Sequence, residues 1–243
     1  MNLIGAGEIL KRSWSMYWSN FQLLISIAAW SLIPALATIL LALMPESLWM
    51  VTAFLGIAVF IGAIIIGLWV YVSLTEVMAK IYTKEKYNTK FIYQKAWEKI
   101  IPLLWVSILS GLAVFGGTLL LIVPGIIIAV WFAFSSIINV LEGTRGRAAL
   151  KASKQLVSGK WWSTFWRLVA PYFVYIVAFY ILVGVLFWLV GLASGNWEGF
   201  ITGEYMPWLS SIVSNILNVL ITPLFVSLPI ILYIELKKFK GGK

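Results

Sequence analysis

Cysteine, histidine and aspartate are all missing from this 243-residue chain, and glutamate, present nine times, is its only acidic side chain. Without cysteine there is no disulfide and no thiolate ligand. Without histidine and aspartate, the usual general bases, zinc ligands and catalytic dyads are missing as well. We therefore predict a non-enzymatic protein that has no cofactor and no metal site.

Charge is also scarce, whereas apolar runs are long. Charged residues make up 11% of the chain and hydrophobic residues 62%, and the mean hydropathy is +0.97. A soluble domain of this size cannot bury so much apolar surface, but uncharged runs of this length are typical of membrane-spanning helices. The sequence predicts one all-α membrane domain over residues 1–243. Its six expected spans cover about 21–44, 48–73, 101–123, 125–141, 166–194 and 208–234.

Only Pro124-Gly125 separates the third and fourth expected spans. Two crossings of a hydrocarbon core about 30 Å thick need about 40 helical residues, which is the length of 101–141. We therefore predict a tight hairpin that turns at this proline and glycine. The first apolar run, about 24 residues long, exceeds the apolar region of a cleavable signal, so we expect it to remain as a span.

The basic residues predict the orientation in the membrane. All 18 lysines and arginines fall on four segments that six spans would place on one side, and the turns on the other side carry only glutamate. The positive-inside rule then places both termini in the cytoplasm, as expected for a multi-pass protein of the cell membrane. The basic segments are 11–12, 80–99, 145–167 and 237–243, and the acidic turns carry Glu46, Glu198 and Glu204.

An amphipathic pattern recurs before each expected pair of spans. It appears in 8–21, in 92–100 and in 145–158, and ILKRSW at 9–14 aligns with IYQKAW at 92–97. Such helices lie in the membrane interface with their cations toward the headgroups. The sequence predicts three hairpins, each preceded by a cytoplasmic amphipathic helix.

The third of these helices carries the most distinctive charges. Ala149, Ala152 and Leu156 form its apolar face, Thr144 is the expected N-cap, and Gly159 is expected to end the helix. Two uses remain open: a general membrane anchor, or a site for a lipid headgroup or phosphate. The candidate contacts for a headgroup or phosphate are Arg145, Arg147, Lys151 and Lys154.

The run LIVPGIIIAVWFAFSSIINVLEG (121–143), followed by AALKASKQLVSGKWW (148–162), resembles the membrane domain attached to some bacterial glycerophosphodiester phosphodiesterases and its stand-alone six-span relatives. The resemblance implies a six-span protein connected with lipid metabolism or membrane homeostasis, without the phosphodiesterase domain. The chain departs from that family at Trp131 and Ser136, where relatives often carry arginine and proline. The shared motif residues are Pro124, Gly125, Glu142, Gly143, Ser153 and Gly159.

The last expected span carries a polar stripe at helical spacing. Hydrogen bonds between helices, worth about 0.6 kcal/mol each, explain such a stripe without a substrate. We expect it to face Ser135, Ser136 or Asn139 of the fourth span, and the alternative is a groove for a neutral solute or a lipid headgroup. The stripe consists of Ser211, Asn215, Asn218 and Thr222.

Small residues on several spans are typical of close helix packing, within the chain or between copies in a homo- or hetero-oligomer. Glu142, at the inner end of the fourth span, is expected to pair with Arg145 or Arg147. The small residues are Gly56, Ala63, Gly67, Ser107, Gly111, Gly184, Gly191 and Gly195.

These observations favour a non-enzymatic membrane protein whose basic cytoplasmic rim engages anionic lipids, in lipid or membrane homeostasis. Nucleic acid is not expected as a partner because the cations face a membrane. Two alternatives remain: a transporter or channel for a neutral or amphiphilic solute, and a membrane scaffold or subunit of a larger complex. The absence of charge at mid-depth in the expected spans argues against ion-coupled transport.

Overall fold

The structure, a computed structural model, describes residues 3–194 and 207–241, and nearly all of them are helical. These residues contain no β-strand. Ten α-helices follow one another, with a short 3-10 turn between α2 and α3 and another before α4. The helices are α1 Ala6–Ser19, α2 Phe21–Ala28, α3 Leu32–Ala42, α4 Trp49–Thr83, α5 Thr89–Leu120, α6 Ile122–Phe132, α7 Ser135–Glu142, α8 Gly146–Val157, α9 Trp161–Ser194 and α10 Pro207–Gly241.

Six helical segments of the described chain are long and apolar enough to cross a membrane. The all-helical fold and the multi-pass membrane class predicted from the sequence are therefore confirmed. Each segment overlaps one of the expected spans. The segments are Phe21–Ala42, Glu46–Thr83, Thr89–Leu120, Ile122–Glu142, Trp161–Leu186 and Ile212–Gly241.

The second and third spans continue into the basic connection between them. α4 ends where Lys84 adopts a left-handed conformation (φ 57°), and α5 begins after Asn88, whose side chain accepts a hydrogen bond from the Phe91 N–H at 3.3 Å. The interfacial helix expected before the third span is therefore not a separate element, because residues 89–100 form the first turns of α5. In contrast, α1 and α8 are separate helices.

The turn between α5 and α6 lies at Leu121, three residues before the expected position. Leu121 is extended (φ −165°, ψ 155°), whereas Pro124 lies in the first turn of α6, where a missing N–H costs no helical hydrogen bond. Gly125 lies where α5 and α6 come closest, because a Cβ there would approach the Thr118 Cα to 3.0 Å. The proline and glycine therefore begin and pack α6, and do not form the turn.

The fourth span is broken in the middle, at Ala133 and Phe134, into α6 and α7. A side chain of α8 satisfies the backbone at the break. The Phe134 N–H donates to Ser153 Oγ at 3.1 Å, and Ser153 Oγ donates to the Trp131 carbonyl at 2.7 Å. Because Ser153 is fully buried, these two hydrogen bonds hold α8 against the break.

A proline in α10 also leaves a backbone group that another helix satisfies. Pro229 has no N–H, so the Phe225 carbonyl lacks its usual partner in the helix. The Tyr172 hydroxyl of α9 donates to that carbonyl at 3.1 Å. An unpaired carbonyl in the hydrocarbon region is costly, so this bond both permits the proline and joins α9 to α10.

α1 packs into the same part of the bundle. The Tyr17 hydroxyl donates to the Leu220 carbonyl of α10 at 3.0 Å. Ser13, which is fully buried, lies 2.5 Å from Ser227 of α10 (Oγ to Oγ), and Tyr175 of α9 donates to Ser13 Oγ at 3.1 Å. A row of hydroxyl groups therefore joins α1, α9 and α10.

The buried core lies in the half of the bundle that is nearest the basic segments. In the outer half of α4, the most apolar stretch has no buried residue, and Phe54 and Phe60 are 75% and 66% exposed. In a bilayer such side chains face lipid. The buried hydrophobic residues of α4, α5 and α10 fall within 69–79, 92–106 and 219–236, and those of the fourth span fall within 130–140.

Candidate functional site

α8 has one buried face and one charged face. Ala149, Ser153 and Val157, spaced four residues apart, are fully buried against the bundle. Arg147 and Lys151 are exposed on the opposite face. Of the three residues expected on the apolar face, Ala149 is fully buried, whereas Ala152 and Leu156 are half-buried.

Three cations of this segment have no charged partner in the part of the chain that the structure describes. Arg145, Arg147 and Lys151 are exposed, and none of them forms an ion pair or hydrogen bond there. We call these three side chains the α8 cationic face. Free guanidinium and ammonium groups beside membrane spans are suited to attract anionic headgroups.

Lys154, the fourth candidate contact, has a partner within the protein. Its ammonium lies over the ring of Trp131, 4.2 Å from the centroid. A cation above an indole face is attracted by the negative π cloud. Lys154 therefore joins α8 to α6, and Trp131 acts as an aromatic acceptor for a cation.

The boundaries of α8 differ in part from those expected. Arg145, not Thr144, occupies the N-cap position, and its side chain makes no capping hydrogen bond. The Thr144 carbonyl instead accepts a hydrogen bond from Asn139 Nδ2 at 2.8 Å. Gly143 (φ 71°) and Gly159 (φ 79°) adopt left-handed conformations on either side of α8, which explains two of the motif glycines.

A cavity of about 720 Å³ opens at the basic end of the bundle. We call it the inner cavity. It lies among α4, α5, α7 and α10, and its volume is in the range of small-molecule sites. Its ionisable lining residues are five lysines, three glutamates and one tyrosine: Lys80, Lys95, Lys99, Lys237, Lys238, Glu76, Glu85, Glu142 and Tyr233.

Two ion pairs cross the inner cavity. Lys99 of α5 donates to Glu76 of α4 and, at 2.7 Å, to the Val140 carbonyl of α7. Glu142 accepts hydrogen bonds of 2.5 Å from both Tyr233 and Lys237 of α10. The expected pairing of Glu142 with Arg145 or Arg147 is therefore wrong, because α10 brings a lysine and a tyrosine to this carboxylate.

The rim of the inner cavity contains a third ion pair, between Lys80 and Glu85, and the lysine Lys95. Hydrogen bonds from Lys80 and Thr83 lower the pKa of Glu85 below its usual value. Glu85 consequently stays ionised and stays paired with Lys80 at neutral pH. Lys95 has no carboxylate partner among the described residues, and its ammonium lies 4.9 Å from the centroid of the Phe91 ring.

Arg12 joins the N-terminal helix to the helices beside the inner cavity. Its guanidinium donates to Glu8 at 2.9 Å, to the Tyr82 hydroxyl at 2.6 Å and to Glu235 at 3.4 Å. These acceptors raise the pKa of Arg12, so its charge is permanent. Glu235 lies 3.5 Å from Lys238 as well, and therefore retains other donors if Lys238 is replaced.

A second cavity, about 420 Å³ in volume, is almost entirely apolar. It lies among α1, α9 and α10. Its lining residues are Trp14, Tyr17, Trp18, Phe21, Tyr175, Ala178, Phe179, Leu182, Leu217, Leu220, Ile221 and Leu224.

The polar stripe of α10 lines neither of these two cavities. Thr222 donates to the Asn218 carbonyl of its own helix at 2.7 Å, and the Asn218 side chain is exposed. Ser135 likewise donates to a carbonyl of its own segment, that of Phe132, at 2.7 Å. The side chain of Ser211 lies outside the described residues, so the pairing of the stripe with the fourth span stays a prediction.

Four of the expected small residues do not lie where described helices touch. A Cβ added at Gly56, Gly67, Gly111 or Gly184 would meet no atom within 4 Å, whereas one at Gly125 would overlap with α5. Assembly of copies through these open faces stays a prediction. Gly195 of the GxxxG motif, Glu198 and Glu204 of the expected outer turn, and the C-terminal Lys243 lie outside the described residues.

The sequence interpretation missed the inner cavity, although part of its signal was visible. Lys95 and Lys99 are four residues apart on one helix and therefore share a face. Glu76 is a carboxylate within a long apolar helix, where such a residue needs a partner. The sequence alone does not reveal that α4, α5, α7 and α10 bring these side chains together.

Comparisons with protein-family models, with curated proteins and with solved structures give no match for this chain. The described residues define its class as a multi-pass helical membrane protein with six helical segments that are long and apolar enough to cross a membrane.

Proposed function

We propose that this protein binds anionic lipids through its basic inner rim and serves lipid or membrane homeostasis. The observation that carries the proposal is the α8 cationic face, three exposed cations without a carboxylate partner on a helix that Ser153 holds against the spans. The resemblance of residues 121–143 and 148–162 to the membrane domain attached to some bacterial glycerophosphodiester phosphodiesterases supports the same assignment.

The position of α8 favours headgroup contact over a soluble partner. Its buried residues are small or of moderate size, so its axis lies close to the spans, and its charges lie beside the ends of apolar helices. Each lysine or arginine near an anionic leaflet contributes about 1 kcal/mol. Three such charges together favour anionic over neutral lipid by about 3 kcal/mol.

We further propose that the basic end faces the cytoplasm, with both termini on that side and the spans arranged as three hairpins. A reporter fused after Lys243 should report the cytoplasm, and one inserted at Glu198 should report the opposite side. Paired reporters that are active only in the cytoplasm or only outside it would measure this. An external signal from the C-terminal fusion would contradict the proposed orientation.

Replacing Arg145, Arg147 and Lys151 together with glutamine should weaken retention of anionic lipid without unfolding the protein. The three side chains are exposed and leave no carboxylate unpaired, so the loss of about 3 kcal/mol, roughly 100-fold in affinity, should be confined to lipid binding. The measurement is the ratio of phosphatidylglycerol to phosphatidylcholine retained from mixed micelles, determined by mass spectrometry.

The matched control removes the same charge from the segment where α4 ends and α5 begins, by changing Lys84, Lys86 and Lys90 to glutamine. These lysines are exposed and lack ion pairs in the described chain. Lys84 and Lys86 lie between the two helices and Lys90 lies in the first turn of α5, so the control leaves α8 unchanged. The control should lose less anionic lipid. An unchanged lipid ratio in the α8 variant would reduce α8 to a structural connector.

A further inference from the structure

We propose that the inner cavity binds one phosphomonoester group or inorganic phosphate, at a site distinct from the α8 cationic face. The α8 cationic face is an open surface that attracts anionic lipid without a defined pocket. The inner cavity instead encloses a volume of about 720 Å³ between four helices. The inference therefore goes beyond the proposed function and does not depend on it.

The charge of the lining matches this ligand class. Five lysines and three glutamates line the inner cavity, so two positive charges remain without a balancing carboxylate in its walls. A phosphomonoester carries about −1.5 to −2 charges at neutral pH and presents three acceptor oxygens. One such group would neutralise the two surplus positive charges. A phosphodiester carries a single negative charge and would leave one positive charge unbalanced.

The lysines that supply the surplus can be identified from their contacts. Lys80, Lys99 and Lys237 each bind a glutamate of the wall. Lys95 has only the ring of Phe91 beside it, and Lys238 shares a carboxylate that Arg12 and Tyr82 already contact. Lys95 and Lys238 are consequently the cations that a phosphate should engage first.

The paired lysines can contribute as well. A lysine ammonium has three N–H donors, and Lys237 uses one of them on Glu142 in the described contacts. The side chain of Lys237 is 60% exposed, so it has room to turn toward a ligand. Charge-assisted hydrogen bonds from ammonium groups to phosphate are among the stronger polar contacts in proteins.

Part of the lining of the inner cavity is apolar. Val140, Leu141 and Ile234 contribute side chains that offer no hydrogen-bond acceptor, so these side chains do not compete with a phosphate for the ammonium groups.

The test is a titration of the purified full-length protein with two ligands, inorganic phosphate and short-chain phosphatidic acid, by isothermal calorimetry. Wild type should bind one equivalent of at least one of them. Binding of inorganic phosphate would identify a soluble ligand, and binding of phosphatidic acid alone would identify a lipid headgroup. Either result supports the proposal, and the absence of saturable binding of both would overturn it.

Replacing Lys95 and Lys238 with glutamine should weaken that binding at least tenfold. Neither change leaves a carboxylate without a donor, because Lys95 has none and Glu235 keeps Arg12 and Tyr82. Lys95→Arg, which keeps the charge, should retain binding within about threefold of wild type. Unchanged thermal unfolding of the double variant would show that the loss is not a folding defect.

The matched control changes Arg147 and Lys151 to glutamine, which removes two charges from the same side of the bundle but outside the inner cavity. Phosphate affinity should stay within twofold of wild type while anionic-lipid retention falls. Equal losses of phosphate affinity in the control and in the cavity variant would show that only net charge matters, and would overturn the proposal. The two readouts therefore separate failure of this inference from failure of the proposed function.

Discussion

Valine in place of Ser153 should lower the free energy of unfolding by about 4 kcal/mol. Ser153 accepts the Phe134 N–H and donates to the Trp131 carbonyl, at the break between α6 and α7. Valine removes both bonds, and an unsatisfied buried backbone group costs about 1–3 kcal/mol. No water can replace the hydroxyl readily, because the side chain is fully buried. Unfolding by titration with sodium dodecyl sulfate in mixed micelles would measure the change.

Ser153→Thr is the matched control. Threonine has the shape of valine but keeps the hydroxyl, so any cost of the added methyl group is common to both variants. The threonine variant should therefore be clearly more stable than the valine variant. If both lose the same stability, the hydroxyl contributes nothing and the break is held by packing alone.

Leucine at position 125 should disrupt the packing of α5 against α6. A Cβ on Gly125 would lie 3.0 Å from both the Cα and the Cβ of Thr118, and backbone atoms at that distance cannot move aside easily. Overpacking of this kind costs about 3 kcal/mol or more when a whole isobutyl group has to be accommodated. We expect loss of folded protein during purification, measured as the monodisperse fraction in size-exclusion chromatography.

Gly116→Leu provides the comparison on the facing helix. A Cβ at Gly116 meets no atom within 4 Å, so the leucine would project into open space that lipid occupies. Leucine also favours a helix over glycine by up to about 1 kcal/mol. The Gly116 variant should be as stable as wild type or more stable. A Gly125→Leu variant with normal yield would show that α5 and α6 separate at no cost.

The spans could be predicted from the sequence because the membrane acts on each helix separately. A run such as 48–73 must be apolar wherever it sits in the bundle, so its hydropathy alone reveals it. The orientation of α8 could be predicted only in part. Helical spacing placed Ala149, Ala152 and Leu156 on one face. Ala149 is buried, but Ala152 and Leu156 are half-buried, and the fully buried face also contains Ser153 and Val157.

The features that were predicted wrongly depend on contacts between distant residues. Glu142 was expected to pair with an arginine three or five residues away, but its partners are Tyr233 and Lys237, more than ninety residues away. The break at Phe134 is stabilised by a hydrogen bond from its N–H to Ser153, a residue of another helix. Pro124-Gly125 was expected to form a turn. The short distance between Gly125 and Thr118 shows instead that the glycine allows α5 and α6 to pack closely.

The packing of α1 against α10 has a consequence for the order of events during synthesis. Arg12, Ser13 and Tyr17 find their partners in α10 at sequence separations of 203 to 223 residues. Chain elongation at about 5–20 residues per second separates the appearance of the two helices by roughly 10–45 s. During that interval α1 lacks its partners in α10, although Arg12 can already contact Glu8 and Tyr82. The native bundle can therefore close only when its last segment is inserted.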